Sequence, residues 1–158
     1  MSDNGFSPLI ISSAHGHLEV VKMLIDAGAE IETEHIEGVT PLMYASAGGY
    51  PEVVKYLIEK GAQINLRHKS GGTALMEAST AGNVTVVQLL LEHQADPLVE
   101  DNDGVTALMS AASMGHTEIC RYSMVGYGML WVCLMTSFCF VCTRYSMPIV
   151  IIIFLLLL

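Results

Sequence analysis

Cysteine is absent from the first 119 residues; Cys120, Cys133, Cys139 and Cys142 all come later. That excludes a disulfide framework for the bulk of the chain. Charge is scarce too, at 15% of residues, and it stops abruptly: all 16 carboxylates lie at or before Glu118, and beyond Arg121 the only ionic side chain is Arg144. Lysine and arginine clusters are missing, with Arg67 and Lys69 making the one local basic spot. Nucleic acid is therefore excluded as a partner, because phosphate binding needs clustered cations. No apolar leader opens the chain, since Met1–Pro8 is polar. These absences divide the chain in two. Residues 1–121 hold sixteen acids against six bases, a balance of −10, whereas 122–158 form an apolar tail. The acid excess reads first as solubility and second as a preference for a basic partner. Residues 1–121 are expected in a reducing compartment, cytoplasmic or nuclear.

What the chain does have is a period. Gly5, Gly38, Gly71 and Gly104 stand 33 residues apart. Two residues on come Ser7, Thr40, Thr73 and Thr106, then Pro8-Leu9, Pro41-Leu42, Ala74-Leu75 and Ala107-Leu108. A second glycine ladder runs Gly16, Gly49, Gly82, Gly115, and apolar pairs follow at Val20-Val21, Val53-Val54, Val86-Val87 and Ile119-Cys120. So many positions in register define repeats over about 2–34, 35–67, 68–100 and, incompletely, 101–121. Each unit reads as two helices. A hydroxyl followed by proline caps and starts the first. Small residues such as Ala45, Ser46 and Ala47 let a neighbour approach, and Gly49 breaks the chain. The second helix carries Val53, Val54, Leu57 and Ile58 as one apolar stripe, and Gly61 stops it. One such pair cannot bury its stripe alone, but stacking removes both faces from water, at roughly 1.5–3 kcal/mol for each Leu or Val buried.

Thr-Pro-Leu, the small-residue run, the glycine, Val-Val, Leu-Leu and Gly-Ala at period 33 resemble the ankyrin repeat family. The resemblance covers Ser2 to about Arg121 and implies an all-α fold, a solenoid of stacked helix–turn–helix units with projecting β-hairpin loops. It also implies a non-catalytic protein-interaction module, a scaffold or adaptor. One departure is consistent: where the family often has histidine after Thr-Pro-Leu, this chain has Ile10, Met43, Met76 and Met109. That substitution puts the usual loop-bracing hydrogen bonds in question.

Candidate chemistry is thin. His17 and His116 share one register position with Tyr50 and Asn83, where the family uses a residue to brace the helix turn. His35 and His68 share a loop position with Asp101 and read as loop residues rather than ligands. Ser12, Ser13 and Ser46 belong to small-residue runs, so close packing explains them without a nucleophile and its base. Cys139-Phe-Val-Cys142 has a metal-like spacing, but it lacks a second pair or a nearby histidine. No enzyme activity, metal or cofactor is expected.

The resemblance places the working surface on loop tips and the exposed side of each first helix. Carried over by register, the tips are Asp3, Asn4 and Phe6, then Ile36, Glu37 and Val39, then Lys69, Ser70 and Gly72, then Asn102, Asp103 and Val105. The helix positions are Ala14, His15, Ala47, Gly48, Thr80, Ala81, Ser113 and Met114. Together they suggest a shallow groove with an apolar floor and an acidic rim; with Phe6 as the one aromatic of the set, modest affinity is expected from these repeats alone. Glu30, Glu32, Glu34 and Glu37 crowd the first inter-repeat loop, as a solvated loop or as a rim for a basic segment.

The fourth repeat loses register: the expected Leu-Leu is Ser123-Met124 and the expected Gly-Ala is Tyr127-Gly128. Tyr122 to Thr143 is uncharged over 22 residues, which as a helix would span roughly 33 Å, and Ile149–Leu158 is a run of aliphatics and Phe. Three readings of 122–158 stand open: a membrane anchor, a soluble capping helix, or a read-through never selected for folding. Arg-Tyr-Ser-Met at 121–124 and again at 144–147 favours the last. Truncation of a longer repeat protein is a further alternative. Alkaline extraction of membranes separates the first reading from the rest. An anchor keeps the full chain in the pellet, soluble in detergent, and releases residues 1–121; a full chain that is released, or that resists detergent, removes the anchor.

Overall fold

Each repeat begins where a hydroxyl meets free backbone N–H groups. In the computed structural model, which describes residues 5–126, the Ser7 side chain accepts from the Ile10 amide at 3.2 Å. Thr40, Thr73 and Thr106 accept in the same way from Met43, Met76 and Met109, at 3.4, 3.4 and 3.3 Å. These caps open α1 (Pro8–Ala14), α3 (Pro41–Gly48), α5 (Ala74–Ala81) and α7 (Ala107–Met114). The second helices are α2 (Leu18–Asp26), α4 (Pro51–Glu59), α6 (Val84–Glu92) and α8 (Thr117–Gly126). The described residues thus contain eight helices and no strand, only an isolated bridge between Glu100 and Thr106. The residues standing where the family often has histidine are buried side chains, Ile10, Met43, Met76 and Met109. The cap needs only their backbone N–H, so it survives the loss of the imidazole.

The chain divides into two compact units, Met1–Ile119 and Cys120–Leu158. In the first, α1, α3, α5 and α7 pack in sequence order, and α2, α4 and α6 pack on their own partners and on one another. The core lies between these layers: Leu9, Leu42, Leu75 and Leu108 from the first helices, with Val53, Val54, Leu57, Val86, Val87 and Leu90 from the second. Register shows what stacking contributes. Val53, Val86 and Ile119 are each 1% exposed, but Val20, in the repeat with no described neighbour before it, is 45% exposed. The same apolar position is buried only where a preceding repeat covers it. Of the second unit, only the part of α8 from Cys120 to Gly126 is described. The anchor, cap and read-through readings of 122–158 fall almost wholly outside the described residues. Among those described, no helix is long and apolar enough to cross a membrane.

The second glycine ladder has a cause that lies one repeat further on. Gly49, Gly82 and Gly115 end their helices with φ of 74°, 81° and 79°, a left-handed conformation that a side chain disfavours. Beyond that, a Cβ on Gly49 would lie 2.6 Å from Asn83 Oδ1, one on Gly82 would meet the His116 ring, and one on Gly16 would meet the Tyr50 ring. The covering residue is also a tie. Asn83 Nδ2 donates to the carbonyls of Ser46 and Ala47 at 2.8 and 2.9 Å, and His116 Nε2 donates to that of Thr80 at 3.0 Å. The register position of His17, Tyr50, Asn83 and His116 therefore braces the turn of the repeat before it where that repeat is present.

The loops are chain reversals rather than strand hairpins. In each, one residue both donates to and receives from the far side. His35 N–H donates to the Val39 carbonyl at 3.0 Å and its own carbonyl accepts from Gly38 at 2.7 Å. His68 and Asp101 repeat the pattern with Gly72 and Gly71, and with Val105 and Gly104. Successive loops are joined by single backbone bonds, Lys69 N–H to Glu37 and Asn102 N–H to Ser70, at 2.9 and 3.0 Å. One bond per neighbour is too few to make a ladder.

Two kinds of glycine predict two costs. Gly61, which ends α4 at φ 95°, has open space around it, so Gly61→Ala is expected to cost about 1–2 kcal/mol from backbone strain alone. Gly49→Ala adds a collision with Asn83 and is expected to cost about 1–3 kcal/mol more. Gln94 holds the equivalent left-handed position in the third repeat at φ 67°, so Gln94→Gly should stabilise by about 1 kcal/mol. Denaturant midpoints of the three variants check the order; equal losses at Gly49 and Gly61 would remove the bracing role of Asn83.

Candidate functional site

The loop residue of each repeat sets the shape of its tip. Asp101 Oδ1 accepts from the amides of Asp103 and Val105, both at 2.9 Å. His35 and His68 do this work with Nδ1, which accepts from Glu37 N–H at 3.4 Å and Ser70 N–H at 3.3 Å. At His68 the same nitrogen also receives the Ser70 hydroxyl at 3.0 Å. With Nδ1 occupied as an acceptor, the proton sits on Nε2, which donates to Glu77 Oε1 at 3.2 Å. Gly72 makes this possible, since a Cβ there would run into the His68 ring. A serine, an imidazole and a carboxylate are thus in line. However, the amides flanking Ser70 are engaged, Lys69 N–H with Glu37 and Gly71 N–H with His68. The arrangement holds a turn, with the amides on either side of Ser70 already engaged in it.

Across the first two repeats the tips carry rings. Phe6 lies 4.3 Å from the His35 ring and 5.9 Å from that of Tyr44, centroid to centroid, and His35 meets Tyr44 edge-on at 6.4 Å. Phe6 is half-buried in this cluster. It is therefore a packing residue between repeats as well as a surface one. Tyr44 stands on α3 and Glu77 at the equivalent place on α5, one repeat on. Partial burial, and then the negative charge of Glu77, hold the Tyr44 phenol above its ordinary range.

The other expected positions separate by exposure. Ile36, Glu37, Lys69, Ser70, Asn102 and Asp103 are exposed at the tips, and His15, Thr80 and Met114 are exposed on the first helices. Val39 and Val105 are half-buried, and Gly72 is buried, so it offers no contact surface of its own. Ile36 lies across Gly5, whose missing side chain leaves room for it. Asn102 is a structural tie, with Nδ2 donating to the Lys69 carbonyl at 2.8 Å. His15 bonds the Ile11 carbonyl at 2.9 Å and stacks on His17. Thr80 donates to the Met76 carbonyl at 2.8 Å. In the crowded acidic loop, Glu32 is engaged, accepting from the Gln63 amide at 2.6 Å. Asp3 and Asn4 lie outside the described residues, as do Cys139 and Cys142. Among the described residues no group of three or more ligating side chains could hold a metal ion.

Sequence reasoning passed over Tyr44 and Glu77. A signal was available: the register position holding Ile11, Tyr44, Glu77 and Ser110 changes chemical type in every repeat, between positions that stay apolar or small. A position that packing dictates does not vary in this way.

No curated protein matches the chain closely enough to show kinship. A family model described as ankyrin repeats in three copies matches twice, over residues 1–68 and 64–124. Repeats of this kind generally bind other proteins and are typically non-catalytic. With that model covering most of the chain, and with four hydroxyl-capped first helices packed in register, the protein belongs to the ankyrin repeat family.

Proposed function

We propose that this protein is a non-catalytic adaptor or scaffold that holds another protein along its loop tips and first helices. The observation that carries the reading is the contrast between buried and exposed register positions. Leu9, Leu42, Leu75 and Leu108 are buried and identical, whereas Ile36, Lys69 and Asn102, or Glu37, Ser70 and Asp103, are exposed and different. Folding requires the first set and does not dictate the second, although the Asn102 and Ser70 side chains also hold their own loops. Backbone bonds between successive loops keep those open positions side by side, so they form one continuous edge. Ile36 at 54% and Met114 at 59% exposure are large apolar side chains that the fold leaves facing water. The lack of cysteine before Cys120 supports work in a reducing compartment, cytoplasm or nucleus. The second reading, the same module tethered to a membrane, is favoured by the uncharged run Tyr122 to Thr143.

A photo-crosslinking side chain placed at Ile36, at Asp103 and at Lys55 tests the surface in cells. Lys55 is exposed on α4, away from the tips in sequence and register. The expected result is one and the same partner, identified by mass spectrometry, from Ile36 and Asp103 and none from Lys55. Ile36→Asp should then weaken that complex by about tenfold, or about 1.4 kcal/mol. A partner captured only through Lys55 would place the working surface elsewhere.

A further inference from the structure

Taking the loop-tip and first-helix surface above as the binding surface, we propose that Tyr44 and Glu77 form a receptor for one arginine side chain of the bound protein segment. The two residues stand at equivalent positions on α3 and α5, helices packed directly on each other. Both are part-exposed. The Tyr44 ring is held on one side by Phe6 and His35, so its orientation is set before any partner arrives. Its hydroxyl has no protein partner among the described residues. Glu77 uses Oε1 for His68 Nε2, and Oε2 has no protein partner among the described residues. The His68 bond in turn fixes the carboxylate, because His68 is locked by Ser70 on its other nitrogen.

The result is an oriented aromatic ring and an oriented carboxylate at equivalent positions of adjacent helices, near enough for the Glu77 charge to act on the phenol, each with an acceptor unfilled. A planar cation fits this pair best. A guanidinium stacks on an aromatic face and presents a fork of N–H donors to oxygen acceptors, whereas an ammonium is a compact, strongly hydrated point charge. The surroundings suit a cation. Glu34 and Glu37 are exposed in the preceding loop, and residues 1–121 carry a balance of −10. Of the nearby bases, Arg67 is engaged with the carbonyls of Gly71 and Glu100, at 3.0 and 2.8 Å. Lys69 stays exposed at the loop tip. Val39, half-buried at the register position of Phe6, offers an apolar surface for the methylenes of the incoming side chain.

The test is selection of a random heptapeptide phage library on the full chain, purified in mild detergent. The same selection is run on Glu77→Gln, Tyr44→Leu and, as a control on α4, Glu52→Gln. Circular dichroism shows that each variant keeps its helices. Enrichment of arginine by about tenfold over the starting library is expected with the wild type and with Glu52→Gln, falling to background with Glu77→Gln and sharply with Tyr44→Leu. Equal enrichment of lysine overturns the assignment of a guanidinium. Arginine enrichment that survives Glu77→Gln overturns the receptor itself. Selected peptides that lack arginine but lose binding in Ile36→Asp would leave the surface standing and remove only the arginine site, whereas no enrichment of any peptide would remove both.

Discussion

Every repeat in this protein depends on how closely its first helix can approach the next. The limiting point is the glycine turn between the two helices of a repeat, over which the following repeat lays Tyr50, Asn83 or His116. A side chain at that turn would be doubly penalised, by its own left-handed backbone and by the residue above it. With none there, Asn83 reaches the carbonyls of Ser46 and Ala47 and His116 that of Thr80, all in the last turn of the preceding repeat's first helix. Satisfying those carbonyls and closing the stack are thus one event. It also explains why a three-residue difference in chemistry, Tyr, Asn or His, is tolerated at one register position. Each is long enough to cover a glycine, and two of the three found there also donate a hydrogen bond.

A second consequence is that the stack fixes the loops without a sheet. Each tip is built locally around His35, His68 or Asp101 and joined to its neighbour by a single backbone bond. The imidazole and the carboxylate do the same work because both offer an acceptor at about the same reach from the backbone. They differ in what remains. Asp101 uses one oxygen for two amides, while His68 keeps an N–H that is free to hold Glu77. In the third repeat that remaining N–H meets the Glu77 carboxylate on the helix behind the loop. The Glu77 carboxylate is thereby held near Tyr44, whose phenol feels its charge.

The functional reading follows from that division of labour. Positions that set the approach of helices are small, apolar or glycine and recur every 33 residues. Positions that the approach leaves over are free to differ, and they do: Phe6 and Tyr44 bring rings to the first two repeats, while Glu37, Glu77 and Asp103 bring carboxylates. The serine–histidine–glutamate line in the third repeat belongs to this surface as a brace, since its neighbouring amides are already engaged.

Much of this was legible from the chain alone. Period, caps, helix stops and the buried stripe depend on local backbone chemistry and on spacing, and both are written in order along the sequence. Thr40 before Pro41 starts a helix whatever surrounds it, and Gly49 ends one. What the sequence could not show is which residues meet across repeats. Phe6, placed at a loop tip by register, is half-buried against His35 and Tyr44; Gly72, also placed at a tip, is buried and leaves the space that the His68 ring occupies. Tyr44 and Glu77 drew no attention, because their position stands out only when the four repeats are compared in register. Local conformation is decided by neighbours a few residues away, so the sequence by itself determined the helices and their stacking order. Which groups come together 33 residues apart is decided by the rotation and separation of successive repeats, and only the tertiary structure supplies those.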